Sequence, residues 1–234
     1  MGVSPADTAH LEAIRDCPQA LLIKGGDHCW HTPVFGGLNC PFPWMNRKLQ
    51  RMFRPDWDRA VNLREAAFRD DLRALFPEPR YFMLNKPHPL RDGRRMLTDI
   101  DATICDRNTG TLALFQLKWQ DSFETSLRER ASRQKNLTRE GNEWVSVVSS
   151  YCAGLGGAER ALRLGLPNEL AAKTKAMRLF VLTRNGARFS GGAAQDDRAA
   201  WFSWFDLLRQ CHGLKRSVDP LSGFGNRALY PQAA

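Results

Sequence analysis

The run TLALFQLKW at residues 111–119 constrains the fold more than any other segment. It follows a turn sequence, DRNTG, and its length and apolar content suit a strand crossing a sheet interior. Side chains alternate between the two faces of a strand. Leu112, Leu114, Gln116 and Lys118 therefore share one face, and Ala113, Phe115, Leu117 and Trp119 share the other. An amide and an ammonium at the end of a buried strand are costly unless something neutralises them or they help to hold an ion.

The preceding segment, MLTDIDATIC, offers partners. Its alternation predicts one strand with Met96, Ile100 and Ile104 on one face and Asp99, Asp101 and Thr103 on the other. DRNTG closes this strand and TLALFQLKW into a hairpin. If the polar faces coincide, Asp99 and Asp101 meet Gln116 and Lys118 at one end of the sheet. The bland outcome is a salt bridge from Lys118 to Asp101 or Asp99 with Gln116 hydrogen-bonded beside it. The sharper outcome is half of a metal site.

Upstream, NLREAAFRDDLRALF reads as an amphipathic helix with Asn62 at its N-cap and Pro77 as its stop. Val61, Glu65, Phe68, Leu72 and Leu75 fall at helical spacing, which puts Glu65 within the stripe facing the sheet. Asn62 and Glu65 also have the form of a capping box, a competing role for the Glu. RYFMLNK is a short strand, KPHPLRDG a Pro-rich turn with His88 as a loop residue, and a long helix spans roughly 124–151. A shorter helix follows around 159–164, preceded by GLGG at 154–157, read as a helix end. AMRLFVLTR is a strand apolar on both faces, and RAAWFSWFDLLRQC a hydrophobic helix covering the sheet. The order helix, three strands, helix, strand, helix gives an α/β sandwich with a mixed sheet.

Residues 1–58 differ from the rest. KGGDHCWHTPVFGGLNCPFPW is dense in Gly, Pro and aromatics without a helical or strand period, and reads as an irregular arm or cap on a domain spanning 59–234. Cys29, His31 and Cys40, with Cys17 or His28, are a weak candidate zinc set lacking a CxxC knuckle. The six cysteines form no tight framework, so reduced thiols are expected. No apolar run has the length of a membrane span and the N-terminus lacks signal-peptide character, so a cytoplasmic protein is expected. The 34 Lys and Arg against 25 Asp and Glu give a net charge of +9, which favours an anionic partner.

The string DIDATICDRNTGTLALFQLK, in this order of elements, resembles the PD-(D/E)xK nuclease superfamily, in the QxK variant of Mrr-type enzymes. The likeness covers roughly residues 60–210. It implies a restriction-endonuclease-like three-layer sandwich with a central mixed sheet and an αβββαβ core. It places the metal-binding acid at Asp101, the motif pair at Gln116 and Lys118, and the helical acid at Glu65. Phosphodiester hydrolysis needs an activated water, an electrophile and charge stabilisation. Mg²⁺ or Mn²⁺ is thus the implied cofactor, with Asp101 as main ligand. Gln116 is a neutral one, and Asp99 or Glu65 supplies the missing charge. Nucleic acid, DNA rather than RNA, is the implied substrate; a domain of this fold that binds nucleic acid without cutting it is the rival.

Two basic stretches suit a phosphate backbone. Arg128, Arg130, Arg133, Lys135 and Arg139 face only Glu124 and Glu129 within 124–139, with Gln134 a further candidate contact. Arg47, Lys48, Arg51, Arg54 and Arg59 face Asp56 and Asp58 within 44–60, interleaved with Trp44, Phe53 and Trp57. The N-terminal arm is a candidate surface for a homodimer or a partner protein.

Overall fold

The computed structural model describes residues 23–26, 29–31, 49–119, 127–185, 192–213 and 221. The chain divides into two units, Met1–Trp57 and Asp58–Ala234. In the first, β1 (Ile23–Gly26) pairs antiparallel with β2 (Cys29–His31). Cys17, His28, Cys40, Trp44, Arg47 and Lys48, from the candidate zinc set and the first basic stretch, lie outside the described residues.

The second unit is α/β, built on a five-stranded mixed sheet in the order β3-β6-β7-β8-β9. β3 (Tyr81–Met83), β6 (Ala102–Asp106) and β7 (Thr111–Lys118) run antiparallel, whereas β7, β8 (Ala176–Thr183) and β9 (Ala199–Ser203) run parallel. Such parallel pairing needs a crossover. Helix α2 (Leu127–Cys152), with the short helices α3 (Gly157–Arg163) and α4 (Asn168–Ala171), makes it between β7 and β8. The central strands are buried on both faces, which is why TLALF and LFVL read as continuous apolar runs.

Each face of the sheet has its own core. Cys105, Leu112, Leu114, Leu179 and Val181 pack with Trp144, Val145, Val148 and Cys152 of α2. On the opposite face Ile104, Ala113, Phe115, Phe180 and Leu182 pack with Phe68 and Leu72 of α1 (Arg54–Leu75) and Leu207 of α5 (Trp204–Gly213). Each fully buried Leu, Val or Phe contributes about 1.5–3 kcal/mol, so β7 alone anchors both layers. Helix α2 approaches the sheet closely because residue 141 is glycine. A Cβ there would fall 2.2 Å from the Trp201 ring.

The chain departs from sequence expectation in several places, each with a local cause. MLTDIDATIC is two strands. β5 (Arg95–Ile100) leaves the sheet to pair with β4 (His88–Asp92) in a separate two-stranded hairpin, and the chain bends at Asp101 before β6 begins. Ile100 consequently packs in the α2 core and Ile104 in the α1 core, on opposite faces. The Pro-rich stretch expected as a turn forms β4, and His88, expected in a loop, is its first residue, with Nε2 2.9 Å from the Arg163 carbonyl. The segment RAAWFSWFDLLRQC is strand β9 followed by helix α5. Ser203 and Asp206 form a reciprocal cap at the junction. The Asp206 carboxylate accepts from Ser203 N at 3.0 Å, and Ser203 Oγ accepts from Asp206 N at 3.3 Å. Asn62 is not a cap, because α1 begins at Arg54. Among the described residues, no helix is long and apolar enough to cross a membrane.

Candidate functional site

β7 runs past the end of β6. In the β6–β7 ladder Ala102 faces Phe115, so the register carried one step further sets Asp101 opposite Gln116, with side chains on the same face. Beyond that point Leu117 and Lys118 pair only with β8, through Leu182 and Thr183. The edge left open would orphan a backbone donor. Asp101 fills it: Oδ2 accepts from Leu117 N at 2.7 Å and from Gln116 Nε2 at 2.6 Å, while Asp101 N donates to the Phe115 carbonyl at 3.1 Å. Among the described residues no hydrogen bond reaches Oδ1.

Gln116 is buried, and Asp101 is half-buried. Burial pushes the Asp101 carboxyl from 3.8 up to about 6, against the pull of the Leu117 N–H; Asp99 and Glu65 raise it further and Lys118 lowers it. Asp99, Glu65 and Lys118 thus all lie close enough to act on Asp101 electrostatically. Asp99 is half-buried in β5, its carbonyl fixed by Trp144 Nε1 of α2 at 2.8 Å. Glu65 is exposed on α1 rather than enclosed in its buried stripe, which consists of Phe68 and Leu72; Val61 and Leu75 are half-buried. With Asn62 inside the helix, the capping role for Glu65 has no basis.

Lys118 does not pair with Asp101 or Asp99. Its Nζ lies 3.1 Å from Oε2 of Glu140 on α2. This partner was missed, although α2 carries a signal for it. Leu137, Gly141, Trp144, Val145 and Val148 are its buried face, so Glu140 flanks that stripe and can reach the strand end.

Helix α1 is held to the same end of the sheet by Arg184, the residue after β8. Its backbone N donates to the Lys118 carbonyl at 2.9 Å. Its guanidinium sits 4.7, 5.3 and 5.5 Å from the ring centres of Trp204, Phe68 and Trp119. Nη1 is also 2.7 Å from Asp71 Oδ2 of α1, an ion contact outside hydrogen-bond alignment. Phe68 and Trp119 meet edge to face at 6.0 Å, and Arg64 lies over Trp119 at 5.7 Å. These contacts seat the turn of α1 that bears Glu65 beside the end of β7.

Arg128, Arg130, Arg133 and Lys135 are exposed along the first half of α2. Gln134 is half-buried and its amide donates to Thr138 Oγ1 at 3.3 Å, so it serves the helix rather than the Asp101 cluster. At 1.5 Å per residue, Arg133 lies about 10 Å along the helix axis from Glu140.

No preformed cage of three or more His, Cys, Asp or Glu side chains occurs among the described residues. A cation of the Mg²⁺ type takes one or two carboxylates and keeps several waters, so Asp101, with Asp99 or Glu65 near it, is the residue that could hold one. Asp101 presents an open Oδ1 in a desolvated position whose negative potential Asp99 and Glu65 increase. Comparison with protein-family models, curated proteins and solved structures gave no match.

Proposed function

We propose that this chain is a metal-dependent nuclease that hydrolyses phosphodiester bonds, in DNA rather than RNA. One observation carries the reading: a desolvated carboxylate, Asp101, lies directly across from Gln116 with Lys118 two residues on, at the edge where β7 outruns β6. The succession α1, β3, β6, β7, α2, β8 agrees with the αβββαβ core that the PD-(D/E)xK resemblance implies, with the β4–β5 hairpin inserted before β6.

In this reading Asp101 would hold the cation, its carboxylate oriented by the bonds that Gln116 and Leu117 donate to Oδ2. Asp99 and Glu65 add the negative charge that the neutral amide at 116 does not supply. A bound Mg²⁺ or Mn²⁺ supplies the electrophile for a phosphoryl oxygen. Lys118 presents its ammonium to the scissile phosphate, and Glu140 orients that side chain across the strand end. The exposed arginines of α2 track the backbone beside the site.

The rival is a nucleic-acid-binding module without cleavage. It draws on the neutral Gln116 and on Lys118 engaged by a carboxylate. Purified protein incubated with DNA and Mg²⁺ or Mn²⁺ decides between them. Cleavage that is lost in Asp101→Ala and Lys118→Ala, with folded far-UV spectra retained, supports the nuclease. DNA that is bound but uncut across metals and substrate forms establishes the rival.

A further inference from the structure

The β4–β5 hairpin is separate from the five-stranded sheet and divides into two parts of opposite character. Its root is fixed. Leu90 and Ile100 are fully buried in the α2 core, Leu97 packs against that core, and Trp144 holds the Asp99 carbonyl. Its tip is exposed over Arg91–Met96, polar or charged apart from Gly93 and Met96, and closes through Gly93, whose φ of 57° suits a two-residue hairpin turn. Between root and tip the register slips at Leu90/Arg91, a bulge of the kind that bends and twists a ribbon.

The tip carries Arg91, Arg94 and Arg95 against a single acid, Asp92. None of the three arginines forms an ion pair with another described residue. The acids of this region lie at the other end of β5, at Asp99 and Asp101. The hairpin is therefore polarised, positive at its free end and negative where it joins the candidate site.

We propose that this hairpin is a duplex-DNA contact, laid in or across a groove with Arg91, Arg94 and Arg95 on phosphates. This deepens the nuclease reading and rests on it. A two-stranded ribbon fits the major groove, which is about 12 Å wide. Arg95 is six residues from Asp101, which at about 3.4 Å per residue gives a span of roughly 20 Å. With phosphates about 3.4 Å apart along a strand, the tip reaches roughly six nucleotides from the scissile phosphate. The hairpin would thereby set the duplex against the site from one side only.

The test is DNA binding by the full chain in EDTA, read by fluorescence anisotropy on a 24-base-pair duplex between 50 and 200 mM KCl. Cleavage is measured separately with Mg²⁺. Arg91→Ala/Arg94→Ala/Arg95→Ala is expected to reduce the slope of log K against log salt by about 2.7, at about 0.9 per phosphate contact. Across that fourfold salt range, the unmodified chain then loses roughly 40-fold more affinity than the variant. The corresponding triple Lys variant is expected to keep the slope. A slope change below about 0.9, with binding and cleavage by the unmodified chain intact, overturns the hairpin proposal alone. In that case the arginines serve only to keep an exposed ribbon from pairing with other chains. An equal loss on single-stranded DNA overturns the duplex assignment. Failure of the unmodified chain to bind any nucleic acid overturns both this proposal and the nuclease reading.

Discussion

Asp101→Asn is expected to stabilise the protein at neutral pH, and the size and pH dependence follow from the site. The asparagine carbonyl can accept both bonds that Oδ2 accepts, from Gln116 Nε2 and Leu117 N, while no charge is buried. With aspartate, the carboxyl titrates near 3.8 when unfolded and about 6 when folded. Well below 3.8 both states hold the proton and the residue brings no penalty, and at pH 4 the penalty is still small. Between about pH 4 and 6 the unfolded chain releases its proton while the folded chain retains it, so stability falls as pH rises. Above 6 the penalty is complete. A shift of about two units corresponds to roughly 3 kcal/mol, of which weaker neutral hydrogen bonds in the variant return part. The expected gain is therefore about 1–3 kcal/mol at pH 8 and small at pH 4. Urea denaturation of both proteins from pH 4 to 8 reads it directly. Millimolar Mg²⁺ should stabilise the aspartate protein and leave the variant unmoved, since a cation offsets only a charge. A stability difference that stays flat or negative across this pH range would refute the account of Asp101 as a charge held at a cost.

Two further expectations concern the frame of the site. Gly141→Ala drives a methyl into the Trp201 ring and should destabilise the fold by about 1–3 kcal/mol, measured by denaturant midpoint; a neutral result would mean that α2 can ride outward freely. Asp106→Ala removes the carboxylate that holds Arg80 at 2.8 Å with its own side chain fully enclosed. It should cost about 3–5 kcal/mol, and a loss under 1 kcal/mol in the same assay would show Arg80 escaping to water.

What the sequence revealed depended on whether one strand's pattern was enough to decide the matter. β7 and β8 were legible because burial on both faces leaves a continuous apolar run. Period two put Gln116 and Lys118 on one face of β7, and hydrogen bonds from Gln116 and Leu117 bring Asp101 to that strand end, while Lys118 turns to Glu140 instead of the expected acids. The break at Asp101 was not legible, because alternation runs unbroken from Met96 to Ile104 whichever strand each half pairs with. The Lys118–Glu140 pair was hidden by distance along the chain: 22 residues and an intervening segment separate the partners. Glu65 had the right helical spacing, yet the start of α1 at Arg54 removed its capping role and left it exposed. The Ser203–Asp206 cap was present as Ser-x-x-Asp and would have divided β9 from α5.

The unequal lengths of β6 and β7 separate two kinds of information in one strand. Residues 112–115 answer to packing on both faces, so their identity is dictated by shape. From 116 onward the strand pairs with β8 and with the Asp101 side chain, and on the α2 face Gln116 and Lys118 have polar partners, while Leu117 and Trp119 still pack against the α1 core. That polar face can change its chemistry without renegotiating the core. The amide at 116 belongs to this part of the strand, tied down by its hydrogen bond to Asp101 across the gap.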